Sequence, residues 1–189
     1  MIEKWRAKAI VQKGISYLPG KEKLNYLLQK YVTHGVELND QYFGWKIGHA
    51  ADHLKFFKEQ GNSDFSGQNV LELGSGWYPI IPITFYLSGF DRIISIDIQS
   101  WMSIETVRTT IAKFKEWKEN GKLDTYLPKY DQERWNELMN LLEDKTVTFE
   151  ALCSRMHAEI KLQDARATDF ESKSFDFICS NNTFEHIPK

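Results

Sequence analysis

Residues 69–76 read Asn69-Val70-Leu71-Glu72-Leu73-Gly74-Ser75-Gly76, and the reading of this stretch decides the fold. An apolar run that stops on Gly-Ser-Gly is a short strand followed by a sharp turn, because glycine takes left-handed backbone angles without steric cost. Residues 79–87 are apolar and long enough for a helix, with Gly89 placed to close it. Arg92-Ile93-Ile94-Ser95-Ile96-Asp97 then supplies a second strand rich in β-branched residues. Strand, glycine turn, helix and strand make one βαβ unit, which crosses over right-handed into a parallel sheet. The fold class is α/β.

Working outward, residues 1–62 read as a helical N-terminal cover and residues 63–189 as the domain that carries the sheet. In the cover, Leu24, Leu27, Leu28 and Tyr31 fall at helical spacing, and Phe43, Ile47, Ala50, Leu54 and Phe57 continue such a stripe. Pro19 and Gly20 separate its first two helices, Asn39 or Asp40 suits the N-cap of the third, and Gly61 its end. Beyond Asp97, Ile104, Val107, Ile111, Phe114 and Trp117 form one helical stripe, and Trp135, Leu138, Met139 and Leu142 another. One crossover helix of about a dozen residues suffices between parallel strands, so about residues 118–157 are a helical insertion. Trp117, just before it, and Tyr126, Tyr130 and Trp135 within it are available for packing or for lining a pocket. Glu159-Ile160-Lys161-Leu162 alternates as a half-exposed edge strand does, whereas Phe175-Asp176-Phe177-Ile178-Cys179-Ser180 is mostly apolar, as in an interior strand.

The chemistry gathers at strand ends, where open α/β sheets bind their ligands. Glycines at 74 and 76 allow close backbone approach, and amides at the following helix N-terminus suit a carboxylate or phosphate. Asp97 ends the second strand about twenty residues after the turn, where a carboxylate accepts both ribose hydroxyls of a nucleoside; the plainer role for it is a helix N-cap. A nicotinamide dinucleotide and a sulfonium nucleoside both place a ribose there. A dinucleotide turn usually carries a third glycine, but Trp77-Tyr78-Pro79 follows Gly76 here, and a bulky pair suits a pyrophosphate poorly. S-adenosylmethionine has no pyrophosphate, only an amino-acid head group whose ammonium suits a carboxylate such as Glu72. The sulfonium ligand is favoured.

These residues resemble the class I S-adenosylmethionine-dependent methyltransferases over residues 69–189. The resemblance rests on the glycine turn, on Asp97, on Gln163-Asp164-Ala165, and on the strand running into Asn181-Asn182, followed by Thr183-Phe184-Glu185-His186-Ile187. It implies a Rossmann-like sheet with strand order 3-2-1-4 over its first four strands. It also implies a cofactor site made of Glu72, Gly74, Ser75, Gly76, Asp97 with the adjoining Ile98, Asp164, Ala165, Asn181 and Asn182. Asp164 would contact the adenine amino group. His186 and Glu185 stand where a general base would act, with His186 the catalytic candidate; either residue could instead simply cap the helix after the strand. Tyr78 departs from the family pattern, which often has glycine at that place. Methyl transfer from a sulfonium needs alignment and at most a base, and no metal.

The remaining composition narrows the partners. Lys plus Arg total 24 against 26 for Asp plus Glu, a net charge of -2 over 189 residues, which gives no electrostatic reason for a nucleic-acid or membrane partner. Asn181-Asn182-Thr183-Phe184 also lacks the Asn-Pro-Pro-Tyr form associated with methylation of nucleic-acid bases; the acceptor is unidentified, with a small molecule expected, and neither charge nor motif separates a metabolite, a sugar or lipid intermediate and a protein side chain. No apolar run approaches the roughly 20 residues of a membrane span, and Glu3, Lys4, Arg6 and Lys8 break up any signal-peptide core. Cys153 and Cys179 are too few for a disulfide framework, and a reducing, cytoplasmic location is expected. His49 and His53, one helical turn apart, lack an evident third ligand and are read as structural. Two alternatives stay open: a nicotinamide-dependent oxidoreductase, and a non-catalytic binding module of the same fold. The fourth strand is the last one legible, so the sheet is read as truncated, with an apolar edge open to self-association.

Overall fold

The computed structural model describes residues 37–61, 64–184 and 187; the helices read from the sequence before residue 37 lie outside the described residues. Strand β1, Asn69–Leu73, pairs in parallel with β2, Arg92–Asp97, with Val70 opposite Ile93 and Leu73 opposite Ile96. Strand β3, Ala158–Leu162, lies along the far side of β2, and β4, Phe177–Ser180, along the free side of β1. The sheet is all parallel in the order β3-β2-β1-β4, a Rossmann-like α/β arrangement that matches the order expected from the sequence. All four strands end on one side, which is where the site forms.

Helices α1, Asp40–Glu59, α2, Ile80–Ser88, α3, Ile104–Glu119, α4, Gln132–Glu143, and α5, Phe149–Arg155, accompany the strands. Side chains alternate across a strand, and the two faces of this sheet are covered differently. Val70, Ile93 and Phe177 join a core to which all five helices contribute. Leu71, Leu73, Ile94 and Ile96 face the other way and meet Ala165, Phe170 and Phe175 from the β3–β4 connection. That connection, residues 163–176, contains neither helix nor strand. Ile178, in register with Leu71 on the thinly covered face, is 56% exposed. The apolar run that reads as an interior strand is therefore buried mainly through Cys179 and Phe177 on the helical face, and β4 has one partner strand among the described residues.

Helix α1 belongs to this core rather than lying over it. Asn39 caps it by accepting the Tyr42 amide at 2.8 Å, and its stripe of Phe43, Ile47, Ala50, Leu54 and Phe57 is buried. Phe43 meets Phe114 and Trp117 edge-on at 5.0 and 4.7 Å between ring centroids. Gly44 makes the crossing possible, since a Cβ there would stand 2.9 Å from the Trp117 ring. Asp40 clamps the same junction by accepting from Trp117 Nε1, Lys113 Nζ and Lys122 Nζ. The two ammonium groups, with the indole N–H, hold its carboxyl far below the usual range.

The insertion folds as a turn at Leu123–Thr125 followed by α4 and α5. Helix α5 escapes the periodicity of the sequence because seven residues show too few repeats; Thr148 caps it, and Leu152 and Cys153 anchor it. Trp117, Tyr126, Tyr130 and Trp135 pack with the helical core. Arg134 ties α4 to the end of α2 by donating to the Tyr86 and Phe90 carbonyls and pairing with Asp91. A cation there offsets the negative end of the helix dipole. Among the described residues no helix is long and apolar enough to cross a membrane.

Phe43→Ala removes a fully buried ring at the α1–α3 junction and should lower stability by about 3–5 kcal/mol. The measurement is the urea midpoint of wild type and variant at equal m-value.

Candidate functional site

A cavity of about 610 Å³ opens over the strand ends, between them and α1. The turn after β1 starts the construction. The Gly74 and Ser75 amides both donate to the Ile96 carbonyl, at 2.8 and 3.2 Å, and so stitch the end of β1 to β2. Gly74 has φ +92, and a Cβ on it would fall 1.9 Å from Thr183 Oγ1. No other residue fits where the turn passes beneath the segment leaving β4.

Asp97 sits at the end of β2, its Oδ2 accepting the Gly76 amide and its Oδ1 the Gln99 amide, each at 3.2 Å. The carboxylate is thereby fixed at the cavity wall with acceptor capacity left over. Of the residues expected from the sequence, Gly74, Gly76, Asp97, Ile98, Asp164, Ala165, Asn181 and Asn182 line the cavity. Glu72 and Ser75 are buried behind it, at 2% and 5% exposure. His186 and Glu185, the candidate bases, lie outside the described residues.

Glu72 receives the Ser95 hydroxyl at 2.5 Å inside the sheet. Burial pushes its carboxyl up to about 7, with the Asp97 charge adding to the rise and the Ser95 hydrogen bond and Lys46 opposing it. Asp164 accepts the Arg166 amide and pairs with its guanidinium through Nε and Nη2; those contacts lower its carboxyl to about 2. Its neighbour Gln163 gives a different kind of group. The Gln163 amide nitrogen donates to Asp169 at 2.5 Å, and since a carboxylate only accepts, this fixes which end of the amide is oxygen. Among the described residues Gln163 Oε1 is buried without a donor, in a residue that lines the cavity.

Helix α1 contributes the far wall through Tyr42, Trp45 and Lys46. Read from sequence, the aromatic residues there are core or lid candidates; two of them prove to be cavity wall, and Lys46 carried no signal because a single lysine on an amphipathic helix reads as a solvated residue. Burial lowers the Lys46 ammonium from its ordinary pKa, with Glu72 opposing that fall. Two turns on, His53 Nε2 meets the Asn181 side-chain amide, 3.0 Å from Nδ2 and 3.2 Å from Oδ1, and burial lowers the imidazole from its ordinary pKa, with the Asn181 hydrogen bond opposing that fall. This bond ties α1 to the end of β4. Trp101 completes the wall beyond β2, its ring tilted by 40° against that of Trp77 with centroids 4.5 Å apart.

The helix N-terminus after the glycine turn does not provide the anion site that the sequence suggests. Pro79 and Pro82 have no amide proton, the Ile80 amide donates to the Tyr78 carbonyl, and Ile80 and Ile81 are buried. The Gly74, Ser75 and Gly76 amides are committed to Ile96 and Asp97, as described.

Gly74→Ala combines the clash with Thr183 and a left-handed φ, and should cost about 2–4 kcal/mol. Removing the clash in the Gly74→Ala, Thr183→Gly double variant should return part of that loss, leaving about 1–2 kcal/mol of backbone strain; denaturant titration of the four-member cycle measures both. Glu72 binds a proton more tightly folded than unfolded. Its contribution to stability is complete below pH 4.5, its ordinary pKa, and is lost as pH rises through about 7. Relative to Glu72→Gln, wild type should lose about 3 kcal/mol over that window, measured by unfolding at several pH values.

No family model matches the chain, and no curated protein matches it.

Proposed function

We propose that this chain is an S-adenosylmethionine-dependent methyltransferase acting on a small molecule. The observation that carries the reading is the fixed Asp97 carboxylate at the end of β2, beside a left-handed glycine turn and facing a cavity of about 610 Å³. A cavity in the range of roughly 300–1,000 Å³ suits a ligand of nucleoside size plus part of an acceptor.

The residues present fit a nucleoside. Asp97 offers acceptors to a pair of ribose hydroxyls. Asp164, paired with Arg166, and the neighbouring Gln163 both line the cavity and carry the kind of acceptor that suits the exocyclic amine of adenine. Ile98 and Trp101 supply apolar wall on the same side. When bound, the cofactor supplies an electrophilic methyl: the acceptor's lone pair forms the new bond as the carbon–sulfur pair returns to sulfur, leaving S-adenosylhomocysteine. The chain's own contribution is alignment of the reactants and exclusion of water, which in well-oriented reactions accounts for much of the rate.

The dinucleotide reading has less support. A pyrophosphate needs open amides at the helix N-terminus, and at the start of α2 the cap Pro79 and the third helical residue Pro82 have no amide proton while the Ile80 amide donates to Tyr78. The Trp77–Trp101 pair also stands beside the turn.

Calorimetric titration with S-adenosylhomocysteine should show saturable binding that Asp97→Ala weakens about a hundred-fold, with nicotinamide dinucleotide giving no heat. Binding of the dinucleotide but not of S-adenosylhomocysteine would overturn the reading.

A further inference from the structure

Among the described residues two cations line the cavity, Lys46 and Arg166. Arg166 is held by Asp164 in a bidentate pair. Lys46 is not so held: among the described residues no carboxylate lies within salt-bridge distance of its ammonium, which stands over the face of Trp45 at 5.6 Å from the ring centroid. Glu72 acts on it only through space, from inside the sheet. A largely desolvated ammonium without an anion is costly unless a ligand supplies one. The backbone around the turn has few donors to spare, because Pro79 and Pro82 have no amide proton and the Gly74, Ser75, Gly76 and Ile80 amides are already used. Tyr42 and Trp45 flank Lys46 on the same face of α1 and give an aromatic wall beside the charge.

We propose that Lys46 is the carboxylate anchor of this cavity: it pairs with a carboxylate of the bound ligands, in place of the helix N-terminus, which has few donors to spare. The inference rests on the methyltransferase reading. The carboxylate has two sources, the amino-acid head group of the cofactor or an aromatic carboxylic acid as acceptor, and the test separates them.

The full chain and its Lys46→Met and Lys46→Arg variants, each checked for an unchanged thermal melt, are titrated with S-adenosylhomocysteine. A second titration uses 5′-methylthioadenosine, which keeps the nucleoside and thioether but has no head group. A third uses benzoate added to the S-adenosylhomocysteine complex. If the head group is the partner, Lys46→Met weakens S-adenosylhomocysteine about ten-fold or more, leaves methylthioadenosine unchanged, and Lys46→Arg restores most of the loss. If the acceptor is the partner, S-adenosylhomocysteine binds Lys46→Met normally and benzoate binding is lost. Wild-type binding of S-adenosylhomocysteine that is unaltered in Lys46→Met, with benzoate either unaltered or not bound by wild type, overturns the anchor and leaves the methyltransferase reading standing. Failure of wild type to bind either nucleoside removes that reading, and the anchor with it.

Discussion

The turn at Gly74 is the constraint on which the rest of the site depends. Its left-handed backbone lets two successive amides reach one carbonyl, that of Ile96, so the ends of β1 and β2 are locked in register at the point where chemistry is needed. The same lock brings the Gly76 amide to Asp97. The missing side chain admits Thr183, and so the segment leaving β4 crosses directly over the turn. One residue without a Cβ thus positions parts of three strands.

The sheet was legible in the sequence because its signals are local. Strands β1, β2 and β4 are short apolar runs that stop on a recognisable residue, Gly74, Asp97 or Ser180, β3 shows the alternation of an edge strand, and a parallel order follows from the βαβ unit. Most of the cavity lining followed too, since strand ends are adjacent once the order is known. What escaped was whatever depends on packing at long range. Whether Glu72 faces a ligand or the inside of the sheet is decided by its pairing beside Ser95, more than twenty residues away. Lys46 and Thr183 have no local signature, because their positions come from how α1 and β4 meet the turn. The helix after the turn misled for a different reason: Pro79 and Pro82 are visible in the sequence, and weighing their missing amides would have withdrawn the anion site.

Helix α1 joins the architecture to the site. One stripe of it, headed by Phe43, fills the core against α3, and the adjacent stripe of Tyr42, Trp45 and Lys46 walls the cavity. Asp40 at its start and the His53–Asn181 bond farther along hold the helix to two separate parts of the sheet domain. The wall is therefore as rigid as the core that carries it, which is the condition for presenting a charge at a fixed place.

The uneven cover of the sheet carries a thermodynamic meaning. Among the described residues, the loop 163–176 shields Leu71, Leu73, Ile94 and Ile96 on their face, and the same loop begins with Gln163, Asp164, Ala165 and Arg166 in the cavity wall. Apolar cover and ligand wall are one segment without regular secondary structure. A molecule that settles against that wall also steadies the lid on a patch of hydrocarbon, so its binding is coupled to the local folding equilibrium of the loop. The signature is a heat-capacity change more negative than the ligand's own contact area accounts for.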